Sequence, residues 1–518
     1  MTPDSTLIPV EIPANVPSTA GMTTKVVKGS LWTLSGQILP LFVSVITTPF
    51  VIRMLGAEGY GVLILVGLIP TYFAFADFGM SLASTKFASE AYAAGDLEKE
   101  AQVVRTAALI AFLASLPVAA LIFIFSATAA ALFNVPEHLQ PQAALALKIS
   151  SATFVINFLN AVFNTPQLTR LRMDLNTFVN SGIRVFGTLA VPFVIYYGGG
   201  IVGAVTVLLI TSVAVLIGHL IVSGRLLGEL FGFSLDSKAF RPLLKFGGGL
   251  VISGIAAVLL VNLEKLVLTR MTSVETLAHY SVAFTFASMA TLFSGAMLQS
   301  LIPAFSQLLA PDKRLQLESL FSRALRANVI GMLPVLTFLF VIARPLFTVW
   351  AGEEFGREST LPFYILLGGL FFNILAYVPV SLIMASGRTD LLAKLYWIEL
   401  FPYIGLIAVL TLKFGAAGAA LAWSIRVIAD AVLMGRLSKQ TAGISFYIFK
   451  GKAAAFGVAI MMLLPPVIVS AATHDLSIWP FLLLPASIAL YCLFAWKKFL
   501  DTDERLWLTN KFQLAFRS

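Results

Sequence analysis

The stretch AALIAFLASLPVAALIFIFSATAA, Ala107–Ala130, contains no ionisable side chain. It is long enough to cross the ~30 Å hydrocarbon core of a bilayer, which takes ~20 helical residues. Working outward, Leu63–Ala76, Ile201–Val222 and Ala453–Ala472 repeat the pattern with few or no charges. Fourteen such segments predict helices near 30–52, 60–83, 106–130, 142–164, 177–197, 201–223, 246–269, 277–304, 326–350, 361–384, 393–412, 416–435, 453–473 and 478–499. The expected fold is an all-α polytopic membrane protein with fourteen transmembrane helices.

Charge gives this plan an orientation. In the connections and the C-terminal tail, 26 Lys and Arg fall on one side, against Arg53, Arg270, Arg357 and Lys413 on the other. Positive loops are retained in the cytoplasm, so the crowded side, with both termini, is expected inside. The chain is 58% hydrophobic and 12% charged, and its net charge of +9 lies in these loops. No basic run could track nucleic acid, so a nucleic-acid partner is excluded and membrane lipid is expected. The single cysteine, Cys492, gives no disulfide framework and no thiol metal site. His138, His219, His279 and His474 fall on separate segments without HExxH spacing, so no metal centre is expected. Residues 1–25 carry Pro3, Pro9, Pro13 and Pro17 with no basic region ahead of an apolar run. They read as a flexible cytoplasmic tail, not a signal peptide.

The two halves of the chain repeat. Lys28 to Arg53 and Lys245 to Arg270 are both intervals of 25 residues, offset by 217. Gly29 and Gly247 follow the lysines closely, Met54 and Met271 follow the arginines, and short connections lead to Tyr60 and Tyr280. An offset of six helices preserves orientation, so the halves form a parallel repeat about an axis along the membrane normal. The expected organisation is an N-lobe (26–223), a cytoplasmic connector (224–245), a C-lobe (246–440), a C-terminal helix pair (441–499) and a cytoplasmic tail (500–518). Repeats of this kind usually enclose a central site that opens alternately to either side.

Two polar stripes suggest which faces line it. Ser30, Thr33, Gln37, Ser44 and Thr48 fall within about 60° of one another at ~100° per residue, and Ser281, Thr285, Ser288, Gly295 and Gln299 within about 80°. The alternative is that Ser and Thr bond their own backbone while Gly allows close helix packing.

Charges inside apolar segments are costly, and each is a candidate site. Arg426 and Asp430, spaced i, i+4, can neutralise each other on one face. Glu264 and Lys265 are adjacent, point ~100° apart and cannot share a face. Either Glu264, on the face of Ser253, points inward with Lys265 turned to a neighbouring helix, or Lys265 snorkels toward the interface. Arg184 lies ~10 Å into its helix, too deep for a loop charge. Asp77 is expected to cap a helix or pair with Lys86. Arg53 and Arg270 suit helix C-termini at the interface. Asn157, Asn160 and Asn164 share a face suited to interhelix hydrogen bonds.

The runs Gly29-Ser-Leu-Trp32, Arg53-Met-Leu-Gly56-Ala-Glu-Gly-Tyr60-Gly61 and Phe75-Ala-Asp77-Phe-Gly79 resemble the start of bacterial polysaccharide flippases of the O-antigen type. Asn262-Leu-Glu264-Lys265-Leu-Val-Leu and His279-Tyr280-Ser-Val-Ala283 resemble the start of their second half. These belong to the multidrug/oligosaccharidyl-lipid/polysaccharide superfamily, and the resemblance covers roughly 24–500. Family members typically carry Asp where Glu264 stands.

The resemblance implies a transporter of the bacterial inner membrane that moves undecaprenyl-diphosphate-linked oligosaccharide from the inner to the outer leaflet, alongside other polysaccharide assembly proteins. A large polar headgroup needs a wide hydrated cavity, to which Gln37 and Gln299 would contribute, and a diphosphate needs cations such as Lys265 or Arg184. Glu264 would tune Lys265 or couple to an ion. No GxxxxGK[ST] motif is present, so the chain has no P-loop, and no cofactor is expected. A multidrug extrusion antiporter and a peptidoglycan-precursor flippase of the same superfamily are the rival readings. A membrane enzyme would need an external catalytic loop, and the connections near 131–141 and 351–360 carry no constellation for one.

Overall fold

The computed structural model describes residues 19–77, 79–232, 237–444, 453–473, 477–500 and 505. Among them every regular element is helical. The first half holds α1 (Thr19–Tyr72), α2 (Met80–Ala93), α3 (Leu97–Ile124), α4 (Ser126–Leu132), α5 (Gln140–Phe163), α6 (Thr165–Thr169), α7 (Met173–Thr177), α8 (Ile183–Val194) and α9 (Gly200–Leu226). The second holds α10 (Ser237–Met271), α11 (Val274–Met289), α12 (Thr291–Ser306), α13 (Arg314–Ala351), α14 (Glu353–Glu358), α15 (Thr360–Ala385), α16 (Thr389–Ala442), α17 (Ala453–Ala472) and α18 (Trp479–Lys498). The side chains of Ser30, Thr33, Ser253 and Gln299, and the whole of His474, lie outside the described residues.

Nine helical stretches among the described residues are long and apolar enough to cross a membrane. Two of them, Met173–Leu226 and Thr389–Ala442, run for 54 residues. At 1.5 Å per residue that is about 80 Å, far more than one crossing. Both are broken by glycines at positive φ, Gly198 (89°) and Gly200 (54°) in the first and Gly415 (54°) in the second; Gly56 (70°) breaks Ser35–Tyr72 in the same way. Without a Cβ, glycine takes this conformation at no steric cost. The break at Gly415 is sharp enough that a Cβ on Gly418 would stand 2.0 Å from the Leu410 carbonyl oxygen. Expected connections between segments 1 and 2, 5 and 6, and 11 and 12 therefore shrink to a kink. Fourteen crossings remain the reading of the sequence.

Two expected segments are interrupted. The second, 60–83, stops at Tyr72, passes through a 3-10 turn at Ala74–Asp77 and restarts as α2. Gly79 (φ 65°) sets the turn, and Asp77 Oδ1 accepts its N–H at 2.7 Å while Ser81 donates to Oδ2 at 3.4 Å. Asp77 is thus a capping group, and Lys86 stands 4.0 Å from Glu90. The eighth, 277–304, divides at Ala290 between α11 and α12.

The chain forms two compact units. Of the described residues, those within 19–48, 75–124 and 146–251 form unit 1, and those within 49–74, 125–145 and 252–505 form unit 2. In unit 1, buried Ala83, Ala101, Ala107 and Ala111 let α2 and α3 approach closely, with Met80 and Val104 filling the seam. Buried hydroxyls and amides tie the helices where lipid offers no partner: Ser84 meets Thr165 at 2.9 Å, and Asn160 donates to the Ser212 carbonyl at 3.1 Å.

In unit 2, Phe305, Phe321, Leu325, Val378 and Leu382 join α12, α13 and α15. A second cluster joins Leu260 of α10 to Leu400, Tyr403 and Ile407 of α16. The α17–α18 pair docks on α13, where the Tyr491 hydroxyl donates to the Ile330 carbonyl at 2.8 Å. One end of unit 2 is laced by connections: Arg53 donates to the Val349 carbonyl at 3.0 Å, Asn134 to the Arg270 carbonyl at 2.8 Å, and Gly61 lies directly against Val274.

Candidate functional site

Glu264 is completely buried in α10, an apolar helix, and accepts a hydrogen bond from the Tyr403 hydroxyl of α16 at 3.2 Å. Its other oxygen, Oε1, has no hydrogen-bond partner. Lys265 points elsewhere, as adjacent helical positions must. Its ammonium donates to Asn262 Oδ1 at 3.3 Å and lies 4.7 Å from the centre of the Phe284 ring of α11. Of the two geometries open from sequence, the lysine turned to a neighbouring helix is the one present. Tyr72 donates to the Asn262 carbonyl beside it.

The polar track continues along α16. The Arg426 guanidinium sits 5.4 Å from the Tyr403 ring centre, and its Nη1 is 3.5 Å from Glu399 Oε2. Arg426 and Asp430, the pair read from the i, i+4 spacing, do interact electrostatically, and Glu399, on the other side of the helix break at Gly415, joins them as the closer ion contact of Arg426. Asp430 stays in the cluster, close enough to Glu399 to interact, with Oδ1 unpartnered. Glu399 was missed in the sequence although it is an ionisable residue inside a predicted span, the signal that flagged the others.

In unit 1, Arg184 follows a π-helical turn, Phe178–Gly182, on the exposed face of α8. Its Nε donates to Asn180 Oδ1 at 2.9 Å and its Nη2 contacts Asn157 Oδ1 at 3.4 Å. These engage two of the five guanidinium N–H donors. Of the asparagine face on α5, Asn157 serves Arg184 and Asn160 bonds between helices. Gln37 is exposed on α1, where neighbouring Gly36 packs against Thr177. In the same stripe Thr48 bonds the Ser44 carbonyl at 2.7 Å, the self-satisfied state expected of a membrane hydroxyl. In the other stripe Ser281 is buried with an unpartnered hydroxyl, and Thr285 is exposed.

The described residues form helices that carry buried ionisable groups, with no strand among them. A model of the family described as "Polysaccharide biosynthesis protein" matches residues 26–309, more than half of the chain. The chain belongs to the polysaccharide biosynthesis protein family. A Shigella flexneri protein named "Putative O-antigen transporter" is 25% identical over 417 residues, covering 79% of this chain and 96% of that protein. Among solved structures, lipid II flippase MurJ in an inward closed conformation aligns with a TM-score of 0.69 at 17% identity, over 90% of this chain and 98% of that one. An inward-facing multidrug resistance MATE family transporter of the MOP superfamily aligns at 0.65 and 12% identity, over 79% and 98%. At such identities the likeness concerns fold. With the family match, it makes this chain a multi-pass membrane member of that family, with the helical fold that these solved structures share.

Proposed function

We propose that this chain is a flippase of the multidrug/oligosaccharidyl-lipid/polysaccharide superfamily, a transporter rather than an enzyme, that carries undecaprenyl-diphosphate-linked oligosaccharide from the inner to the outer leaflet of the bacterial cytoplasmic membrane by alternating access. The observation that carries the reading is Lys265: an ammonium in an apolar helix whose hydrogen bond and ring contact go to neutral Asn262 and Phe284, while buried Glu264 acts on it only electrostatically from the adjacent helical position. A cation held that way costs free energy unless an anion visits it, and a diphosphate is such a visitor. Arg184 offers unit 1 a second cation with donors to spare. Gln37 and Gln299 would meet sugar hydroxyls, and Glu264, with one oxygen unpartnered, would tune Lys265 or couple transport to an ion. The family's description favours a glycan lipid over a drug cation. Partner proteins of glycan assembly would supply and consume the cargo.

A glycan-export strain lacking its own flippase should recover surface glycan with the wild-type chain. Arg184→Ala should recover about tenfold less, one charge-assisted hydrogen bond being worth ~1.5 kcal/mol or more. Failure of the wild-type chain with every lipid-linked glycan offered, together with extrusion of cationic dyes, would replace the cargo by drugs; rescue of a peptidoglycan-precursor flippase deletion would replace it by that precursor.

Fourteen crossings with both termini inside, and lobes 26–223 and 246–440 as parallel repeats, belong to the same proposal. In a Cys492→Ala background, Glu353→Cys should react with an impermeant maleimide added outside and Lys313→Cys should not. The reverse pattern would invert the topology.

A further inference from the structure

Glu275 in the first turn of α11, His279 one turn later and Glu354 in α14 meet at the laced end of unit 2. One ligand-capable atom from each lies within 4.8 Å of the others. Among the described residues this grouping brings three such side chains together, from parts of the chain far apart in sequence. Two carboxyls and an imidazole would by themselves be an acidic cluster.

What sets this one apart is the histidine. Its side chain is 5% exposed, and its Nε2 is buried without a hydrogen-bond partner while facing Glu354 Oε1 at 3.4 Å. Phe355, itself buried, packs edge-on against the imidazole with ring centres 4.6 Å apart, so the ring is held with that nitrogen toward the carboxylates. The Glu275 and Glu354 carboxyls lie within 4.8 Å of each other, so two groups that would repel as anions are held together. The nearby Arg357 is engaged by Glu358 at 2.8 Å.

We infer that Glu275, His279 and Glu354 bind a divalent transition-metal ion, with zinc the best fit, joining α11 to α14. An imidazole with two carboxylates is a zinc-type donor set, with bonds of about 2.0–2.2 Å to nitrogen and oxygen. A tetrahedron with such bonds has edges of roughly 3.4 Å, and the Nε2 to Oε1 separation is 3.4 Å. Glu275 closes the third position by a rotamer adjustment, and Glu354, half exposed, leaves water access to the fourth. The ion would neutralise the paired carboxylates and pin the turn at Gly352, where α13 gives way to α14. HExxH spacing does not reveal the site, because its ligands are an i, i+4 Glu-His pair and a carboxylate from another helix.

The test uses the full chain, tag removed, in detergent and stripped by chelator. Calorimetric titration with zinc chloride should show one ion per chain, and zinc should raise the thermal midpoint where magnesium does not. Glu354→Gln, at a half-exposed position that the fold tolerates, should weaken zinc binding roughly tenfold or more and remove the thermal shift. His279→Ala should abolish binding. Absence of stoichiometric zinc uptake, or uptake that Glu354→Gln leaves unchanged, overturns the assignment and leaves an imidazole–carboxylate contact.

Discussion

Lys265→Ala is expected to lower glycan export about tenfold to a hundredfold in the complementation strain, with protein abundance near wild type. The range follows from a charge-assisted hydrogen bond to phosphate, worth roughly 1.5–3 kcal/mol, at 1.4 kcal/mol per tenfold. Abundance should hold because the ammonium's close contacts, Asn262 and the Phe284 face, are neutral, and Glu264 loses only an electrostatic attraction while keeping its hydrogen bond from Tyr403. Lys265→Arg should retain more export than Lys265→Gln, since the positive charge matters more than the length of the side chain. Glu264 separates this role from packing. Its carboxylate is hydrogen-bonded to Tyr403 but acts electrostatically on the lysine, so Glu264→Gln should alter export and any ion dependence without removing the cation that meets the phosphate. Wild-type export by Lys265→Ala would reduce the lysine to a side chain packed on Phe284.

What could be read before the structure, and what could not, divides by range. Apolar length decides helix and membrane, and the runs at Ala107–Ala130 and Ile201–Val222 fall within α3 to α4 and within α9. Adjacency along a helix is also local, so Glu264 and Lys265 could be assigned to different faces. Partner choice is not local. Arg426 had an obvious neighbour four residues on, yet its closer ion contact is with Glu399, because a single glycine break folds α16 back on itself. The spacing rule assumes a helix that continues, and Gly415 ends it. Asp77 illustrates the converse: its cap on Gly79 lies two residues away and was within reach of the sequence. The Glu275, His279 and Glu354 grouping was invisible for the same reason as the contact between Arg426 and Glu399, since no periodicity relates the start of one helix to another helix distant in sequence.

The largest effect on stability is expected at Glu100 and Arg170, which the sequence presents only as two charges near a basic end. Glu100 is completely buried in α3, and Arg170, after α6, grips it with both arms of its guanidinium, at 2.5 Å to Oε1 and 3.0 Å to Oε2. Thr169 adds a hydrogen bond to Oε1 at 3.1 Å, and the guanidinium lies 4.6 Å from the centre of the Tyr92 ring. Arg170→Ala would strand a carboxylate in an apolar seam, at a cost of roughly 3–5 kcal/mol, and should lower the thermal midpoint in detergent and the amount of protein in the membrane. Arg170→Lys should fall between, because a single ammonium cannot reproduce the two-pronged geometry. Replacing both residues with methionine should cost less than the two single changes together, since the penalty comes from an orphaned charge rather than from a missing attraction. A midpoint for Arg170→Ala equal to wild type would show that water reaches Glu100. The pair also bears on transport, because it anchors the turn that leads through α7 and the π-helical turn to Arg184. Loosening it should therefore weaken glycan export even in Arg170→Lys protein that still accumulates, and restoring the pair in exchanged order, Glu100→Arg with Arg170→Glu, should recover abundance more fully than export.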